Sequence, residues 1–169
     1  MLRLIQLIVC EKVIIDLNGG TVSAIGMFEN SNAKLPSSAP EKILYPIKWS
    51  VVGLWRRNNE FEADENFVQK IIVRTPENEE AFTGETPFVA TNASYNFRNI
   101  VEFSGFPVSN TGVVNIEIYL KRENEDEWVE YSSYPVNVTR TTEDMPNANE
   151  TNAENTNGIE NQNNSNESV

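Results

Sequence analysis

Histidine is absent from this sequence, and its absence bears first on catalysis. Serine-type triads, most zinc sites and most switches that titrate near neutrality depend on imidazole. Glycine-rich phosphate loops, Cys-x-x-Cys pairs and Ser or Cys nucleophile motifs are absent as well. The acidic segments at 77–80 and 123–127 do not have the ligand spacing of a calcium loop. We therefore expect a protein that is not an enzyme, with no catalytic residue and no cofactor or metal site.

Cysteine occurs once, at Cys10, so the chain cannot form an intramolecular disulfide. Its neighbours Ile8 and Val9 are apolar, and no histidine is present to activate its thiol. Cys10 is therefore expected to be a buried residue of a strand. A lone cysteine is compatible with a reducing compartment, and the predicted location is the cytoplasm.

The first ten residues leave a second location open. They have the order of a lipoprotein signal, with one basic residue, an apolar run and then Cys10. Gln6 interrupts that run, and bulky Val9 stands where cleavage requires a small residue. The run continues into residues 13–15, which favours one long strand with a bulge near Glu11. As a leader, the same segment would make the protein secreted or lipid-anchored.

Basic residues are scarce, with 13 Lys plus Arg against 25 Asp plus Glu and a net charge of -12. Phosphate contacts require clustered Lys and Arg, so nucleic acid is not expected as a partner. Electrostatic attachment to an anionic membrane is not expected either. The partner class that remains is an unknown protein, and the sequence leaves the oligomeric state open.

Two segments indicate the fold class. Apolar residues alternate along residues 95–103, with Asn99 the exception, and along residues 112–120. Such alternation is typical of strands with one face on a core and one face in water. We predict an all-β, antiparallel β-sandwich of seven or eight strands, with a β-barrel as the alternative. The residues expected to point inward are Val101, Phe103, Val114, Ile116, Ile118 and Leu120.

The chain divides into a domain at 1–141 and a tail at 142–169. The tail has no aromatic residue and no Lys or Arg, and Asn and Glu dominate it. Such a segment buries too little apolar surface to offset about 1–2 kcal/mol of backbone entropy per ordered residue. We therefore predict a disordered, acidic tail.

Within the domain the predicted strands follow one another with few long gaps. Asn18, Gly19 and Gly20 predict a tight turn between the first two strands. Residues 30–42 are predicted as a loop, and residues 76–93 as irregular with a short strand at 88–90. The other predicted strands are 3–16, 21–29, 45–55, 67–73, 95–103, 112–120 and 128–139.

The first two strands also carry a resemblance. It rests on Cys10-Glu11-x-Val13-x-x-Asp16, Gly20, Ser23-x-Ile25-x-x-Phe28-Glu29 and Pro36. In these residues the chain resembles a family of small, uncharacterised bacterial β domains, a domain of unknown function. The family pattern ends with a Gly, an alternating strand and a hairpin, as residues 112–138 do here, although it often has Tyr where this chain has Val114. The resemblance implies a β-sandwich and no particular activity, catalytic residue or ligand.

Four residues are candidates for contact with a ligand or partner. Glu11 occupies an odd-numbered position of the first strand, as do most of that strand's apolar residues, so an unbroken strand would point it to the same face. It then either enters the core or returns to water at a bulge or edge. Trp49, Trp55 and Trp128 belong either to the core or to an exposed aromatic platform. A non-catalytic module with a protein-binding or assembly role is the predicted function. The alternative is a carbohydrate-binding or cell-surface module that uses exposed aromatics.

Overall fold

A computed structural model of the chain describes residues 2–16, 20–58 and 63–143. These residues form nine strands and no helix, which confirms the all-β prediction. The strands are β1 Leu2–Ile15, β2 Val22–Met27, β3 Asn30–Pro36, β4 Ile43–Arg57, β5 Glu65–Arg74, β6 Glu80–Ala90, β7 Asn96–Val108, β8 Gly112–Arg122 and β9 Val129–Glu143.

The strands form two packed sheets. The four-stranded sheet has the order β2-β1-β4-β7 and is antiparallel throughout. The five-stranded sheet has the order β3-β9-β8-β5-β6 and is mixed, because β3 runs parallel to β9. The sandwich architecture was therefore predicted correctly, while the parallel pair was not.

Two segments differ from the predicted strand list. Residues 30–36, predicted as loop, form β3, whose register with β9 begins at Asn30 opposite Asn137. Its inward residues Ser31, Ala33 and Leu35 are buried, but two of them are small, so the sequence shows little hydrophobic alternation. The predicted short strand at 88–90 is the end of the longer β6. β6 is an exposed, polar edge strand, which weakens its apolar signal.

The core lies between the sheets and is rich in aromatic side chains. Trp49 stacks on Phe103 with ring centroids 4.4 Å apart and meets Phe106 edge-on at 5.4 Å. A second cluster surrounds Trp55 and Phe67. The residues predicted to point inward from β7 and β8 are buried or packed against the core, as expected: Val101, Phe103, Val114, Ile116, Ile118 and Leu120.

Two sequence predictions fall wholly or largely outside the described residues. Of the predicted turn only Gly20 is described, and its φ of 63° lies in the region that favours glycine. Asn18 and Gly19 lie outside. The predicted disordered tail also lies outside the described residues, apart from its first two positions, which belong to β9.

Candidate functional site

The site is built where β1 leaves the four-stranded sheet. β1 pairs with β4 from Leu2 to Cys10, and the last pair joins Cys10 to Ser50. Beyond that pair β1 continues to Ile15 alongside β2 only. β4 begins seven residues before Ser50, at Ile43, so the two strands separate. The described residues of this β1–β2 extension, 11–16 and 20–27, are called the hairpin arm below.

A hydrogen bond shows where the hairpin arm goes. The guanidinium of Arg98 on β7 donates to the carbonyl oxygen of Gly20, at the described end of the arm. β7 and β2 are the opposite edges of the sheet. Arg98 is exposed between the more buried Phe97 and Asn99, so it lies on the outer surface. The arm therefore reaches across the outer surface of the sheet toward β7.

Gly26 explains locally how the strand pair can bend. Its φ of 68° is unfavourable for residues with a side chain and interrupts the regular geometry of β2. A Cβ atom at this position would lie 2.8 Å from Cδ of Glu11. Gly26 thus leaves the space that the Glu11 side chain occupies. A separate irregularity in β1, between Leu4 and Gln6, is the bulge in its pairing with β4.

A cleft of about 420 Å³ lies between the hairpin arm and the sheet. We call it the hairpin cleft. Its size is within the roughly 300–1,000 Å³ range of ligand sites. Its walls come from three strands: Glu11, Lys12 and Val13 of β1, Lys48, Trp49 and Ser50 of β4, and Glu102, Phe103 and Ser104 of β7.

The hairpin cleft contains two cations and two carboxylates. Lys12 and Lys48 oppose Glu11 and Glu102 in sign, and all four side chains are exposed. The ion pairs found among the described residues involve none of these four. The cleft therefore offers charges of both signs that have no ion-pair partner within 4.0 Å among the described residues.

The aromatic wall of the hairpin cleft is fixed by the core. Trp49 is only 1 % exposed, and its Nε1 donates a 2.9 Å hydrogen bond to the Gly105 carbonyl. Its stacking on Phe103 covers one ring face. Trp49 therefore supports the cleft as a rigid wall, and its ring is not available for stacking on a sugar.

The four sequence candidates are in different environments. Glu11 is exposed, because β1 has left β4 at this position, and it lies with Trp49 at the hairpin cleft. Trp55 is 1 % exposed and donates to Oε1 of Gln69 inside the core. Trp128 directly precedes β9 and is partly exposed beside the five-stranded sheet. The structure thus joins Glu11 to Trp49 and leaves Trp55 and Trp128 elsewhere.

The cleft residues that sequence reasoning missed are polar positions inside apolar strands. Lys48 and Ser50 alternate with the buried Trp49 and Val51, and Glu102 alternates with core-facing neighbours in the same way. That alternation identifies outward positions. It carries no signal that the hairpin arm lies over them, because the separation of β1 from β4 depends on tertiary pairing.

Trp128 has a different set of neighbours. The ammonium of Lys70 lies 4.2 Å from its ring centroid, and that of Lys121 lies 5.0 Å away. Lys70 also lies 5.1 Å from the ring of Tyr119. Burial raises the pKa of Tyr119 to about 12, and its hydrogen bond to Glu117 acts in the same direction. This surface combines one partly exposed indole with two cations.

Chemistry at these surfaces is limited by the groups present. Cys10 is fully buried, and burial raises the pKa of its thiol, which disfavours the nucleophilic thiolate. The hairpin cleft holds two carboxylates, Glu11 and Glu102, but the indole beside them is buried. Within residues 2–16, 20–58 and 63–143, no group of three or more Cys, Asp or Glu side chains is arranged to hold a metal ion.

Comparison with known proteins gives no functional assignment. No family model matches the chain, and no curated protein matches it. The resemblance to the bacterial β domains therefore stays a prediction. In the part of the chain that is described, there is no helix with the length and apolarity to span a membrane.

Proposed function

We propose that this chain is a non-catalytic module that binds a protein partner through an extended segment in the hairpin cleft. The observation that carries the proposal is the set of four charged side chains, two of each sign, without ion-pair partners in the described chain. A cleft of this size with a few convergent polar groups is the usual form of a ligand site.

The backbone of β4 adds a second reason. Residues 43–45 and 48–49 pair with β7 on one side, and no described strand pairs with them on the side that β1 has left. An open strand edge can accept an added strand, whose main-chain hydrogen bonds supply affinity. Pro46 has no N–H and Trp49 is buried, so the accessible edge is limited to Ile47 and Lys48.

The cleft also indicates the chemistry of the bound segment. Lys48 would contact a carboxylate of the partner, and Glu102 would contact a Lys or Arg. A single small anion or cation would satisfy only half of these charges. An extended polypeptide with both signs along one edge can satisfy all four.

A displayed peptide library tests this proposal without knowledge of the natural partner. The full chain is used to select peptides, and the affinity of an enriched peptide is measured by titration calorimetry. We expect Lys48→Glu and Glu102→Lys each to weaken that peptide by about tenfold, which corresponds to about 1.4 kcal/mol.

Matched controls carry the same charge changes on the other sheet. Lys34→Glu and Glu85→Lys alter exposed residues of β3 and β6 and should leave the affinity unchanged. The proposal fails if no peptide is enriched, or if control and cleft variants bind the peptide equally. Turnover of a substrate that is abolished by Glu11→Gln or Glu102→Gln would end the non-catalytic reading.

A carbohydrate-binding role is the second candidate, and the surroundings of Trp128 favour it. An indole beside two ammonium groups can stack on a sugar and pair with its carboxylates or sulfates. The glycan class would then be acidic. Binding of uronate-rich or sulfated glycans on an array, lost in Trp128→Ala, would support this role, and retention of binding in that variant would exclude Trp128.

The proposed compartment is the cytoplasm. Its support is the free, fully buried Cys10, which needs no oxidising environment for the fold. Fractionation of the producing cells tests it, and recovery of the protein with membranes or in the medium would favour the secreted or lipid-anchored alternative.

A further inference from the structure

Three side chains on the outer surface of the four-stranded sheet are buried. Val9 and Val51 are opposite each other on β1 and β4 and face the core. Successive residues of a strand point to opposite faces, so the residues next to these two in each strand point outward. Among them, Cys10 and Val52 are both 0 % exposed, and Ser50 is 4 % exposed. In a fold of two layers, outward side chains are buried only where a further element covers them.

The hairpin arm is the element that covers these side chains. It begins directly after Cys10, and its described end meets Arg98 on β7. β4, which carries the other two buried residues, lies between β1 and β7, so the arm crosses over it. Burial raises the pKa of the Cys10 thiol, and hydrogen bonds with the backbone of Lys12 and Ile25 oppose that rise. The backbone of the arm therefore lies against Cys10.

The attachment of the hairpin arm to the sheet is weaker than that of a regular strand. β1 has β2 and β4 as neighbours up to Cys10, and beyond it β2 is its one partner among the described strands. A two-stranded hairpin is marginally stable by itself. On the underside of the arm, Val13 and Ala24 are opposite each other and remain partly exposed. The hairpin cleft lies between the arm and the sheet, so part of their interface is open rather than packed.

The base and the end of the hairpin arm have features of a hinge and a latch. The register of β1 with β2 skips Glu11 and Gly26, although the residues on either side of them are paired. Gly26 has a φ of 68°, and glycine allows backbone rotation that other residues resist. Hinges are a few such positions that absorb a change in φ and ψ. At the other end, the exposed guanidinium of Arg98 donates to the carbonyl oxygen of Gly20.

We propose that the hairpin arm is a lid that opens about Glu11 and Gly26 while both sheets stay folded, with Arg98 as its latch. Opening is a local event, because it breaks the contacts of one two-stranded ribbon and none of the core between the sheets. It uncovers Cys10 and Val52 and widens the hairpin cleft, so the lid controls access to that cleft. The motion belongs to the free chain and does not depend on whether the cleft binds a peptide.

The rate at which iodoacetamide modifies Cys10 tests the proposal, because this is the only thiol of the full chain. The rate is measured by mass spectrometry at increasing urea concentrations and compared with that of the unfolded chain. Modification through global unfolding would accelerate by about five- to hundredfold per molar urea, because unfolding exposes the whole core. Lid opening exposes little surface. We therefore expect modification that is slower than in the unfolded chain and nearly independent of urea below the unfolding transition.

Arg98→Ala removes the latch and should accelerate the modification of Cys10 by about three- to tenfold, the usual effect of one hydrogen bond. Arg56→Ala is the matched control, because it makes the same charge change at an exposed residue of neighbouring β4. It should leave the rate unchanged. Circular dichroism and the melting temperature would verify that both variants fold.

Hydrogen exchange of the unmodified chain provides a measurement that needs no variant. Amides of residues 20–27 in the arm should exchange faster than those of residues 112–120 in β8, which has a paired strand on both sides. Equal protection of the two segments would overturn the proposal. So would modification of Cys10 with the urea dependence of global unfolding, modification as fast as in the unfolded chain, or an equal effect of Arg98→Ala and Arg56→Ala.

Discussion

Trp55 on β4 donates a 2.9 Å hydrogen bond from Nε1 to Oε1 of Gln69 on β5, and this bond joins the two sheets inside the core. Both side chains are only 1 % exposed. A buried polar pair of this kind gives little net stability when formed, but losing one partner leaves the other unsatisfied. It therefore fixes how the sheets are positioned against each other. Nε2 of Gln69 has no hydrogen-bond partner in the described chain, so the amide depends on this one bond.

We expect the two residues to be energetically coupled. Trp55→Phe removes the donor and should destabilise the protein by about 1–3 kcal/mol for the unpaired Gln69 oxygen, with a further loss for the smaller ring. Gln69→Met leaves the indole N–H unpaired and should cost a similar amount. The double variant removes both polar groups. Chemical denaturation of the four proteins should therefore give a double-variant loss about 1–3 kcal/mol smaller than the sum. Additive losses would mean that the hydrogen bond does not contribute.

Gly53 should be intolerant of any side chain. It lies beside this pair, and a Cβ atom there would be 2.7 Å from Oε1 of Gln69 and 2.9 Å from Nε1 of Trp55. Gly53→Ala must displace buried atoms on two strands, and we expect a loss of about 1–3 kcal/mol in the free energy of unfolding. The control is Gly84→Ala, because nothing lies within 4 Å of a Cβ atom there. That variant should be neutral or more stable by about 0.5–1 kcal/mol. Equal effects at the two positions would contradict the packing explanation.

The predictability of the strands depended on burial of one face. β7 and β8 were found because large apolar residues alternate with polar ones, as in Ile116, Ile118 and Leu120. β3 was missed because its buried positions include Ser31 and Ala33, which carry little hydrophobic signal. Its parallel pairing with β9 joins residues more than 100 positions apart. Local sequence patterns do not encode such a partner.

The candidate site was predictable only in part. Glu11 was selected because it is a charged residue at a strand position whose neighbours on the same face are apolar, and it does line the hairpin cleft. The conflict is resolved by the departure of β1 from β4 after Cys10, a tertiary event that the sequence of β1 does not reveal. The tryptophans could not be sorted by pattern alone. Trp49 and Trp55 share a buried face of β4, whereas Trp128 directly precedes the strand β9 and is partly exposed.

Glu77 is a carboxyl group whose pKa is clearly lowered by the hydrogen bonds that it accepts. Its carboxylate accepts hydrogen bonds from Oγ of Ser109 at 2.7 Å and from Nδ2 of Asn110 at 2.5 Å. These bonds stabilise the charged form and lower the pKa of Glu77 from 4.5 to about 2, with the Ser109 bond the larger cause. The bonds connect the turn after β5 to the turn after β7.

The sign of the resulting pH dependence follows from linkage. A carboxyl group with a lower pKa in the folded protein binds its proton more readily in the unfolded chain. Its contribution to stability is therefore complete above pH 4.5 and is lost as the pH falls from 4.5 toward about 2. In Glu77→Gln, the decline of unfolding free energy across that window should be shallower than in the wild type.

Ser109→Ala should raise the pKa of Glu77, as measured by NMR titration of its side-chain carbonyl carbon. Glu85→Gln is the control, because that exposed carboxylate makes no hydrogen bond or ion pair in the described structure. A Glu77 pKa that stays the same in Ser109→Ala would show that the hydroxyl does not hold the carboxylate in its charged form.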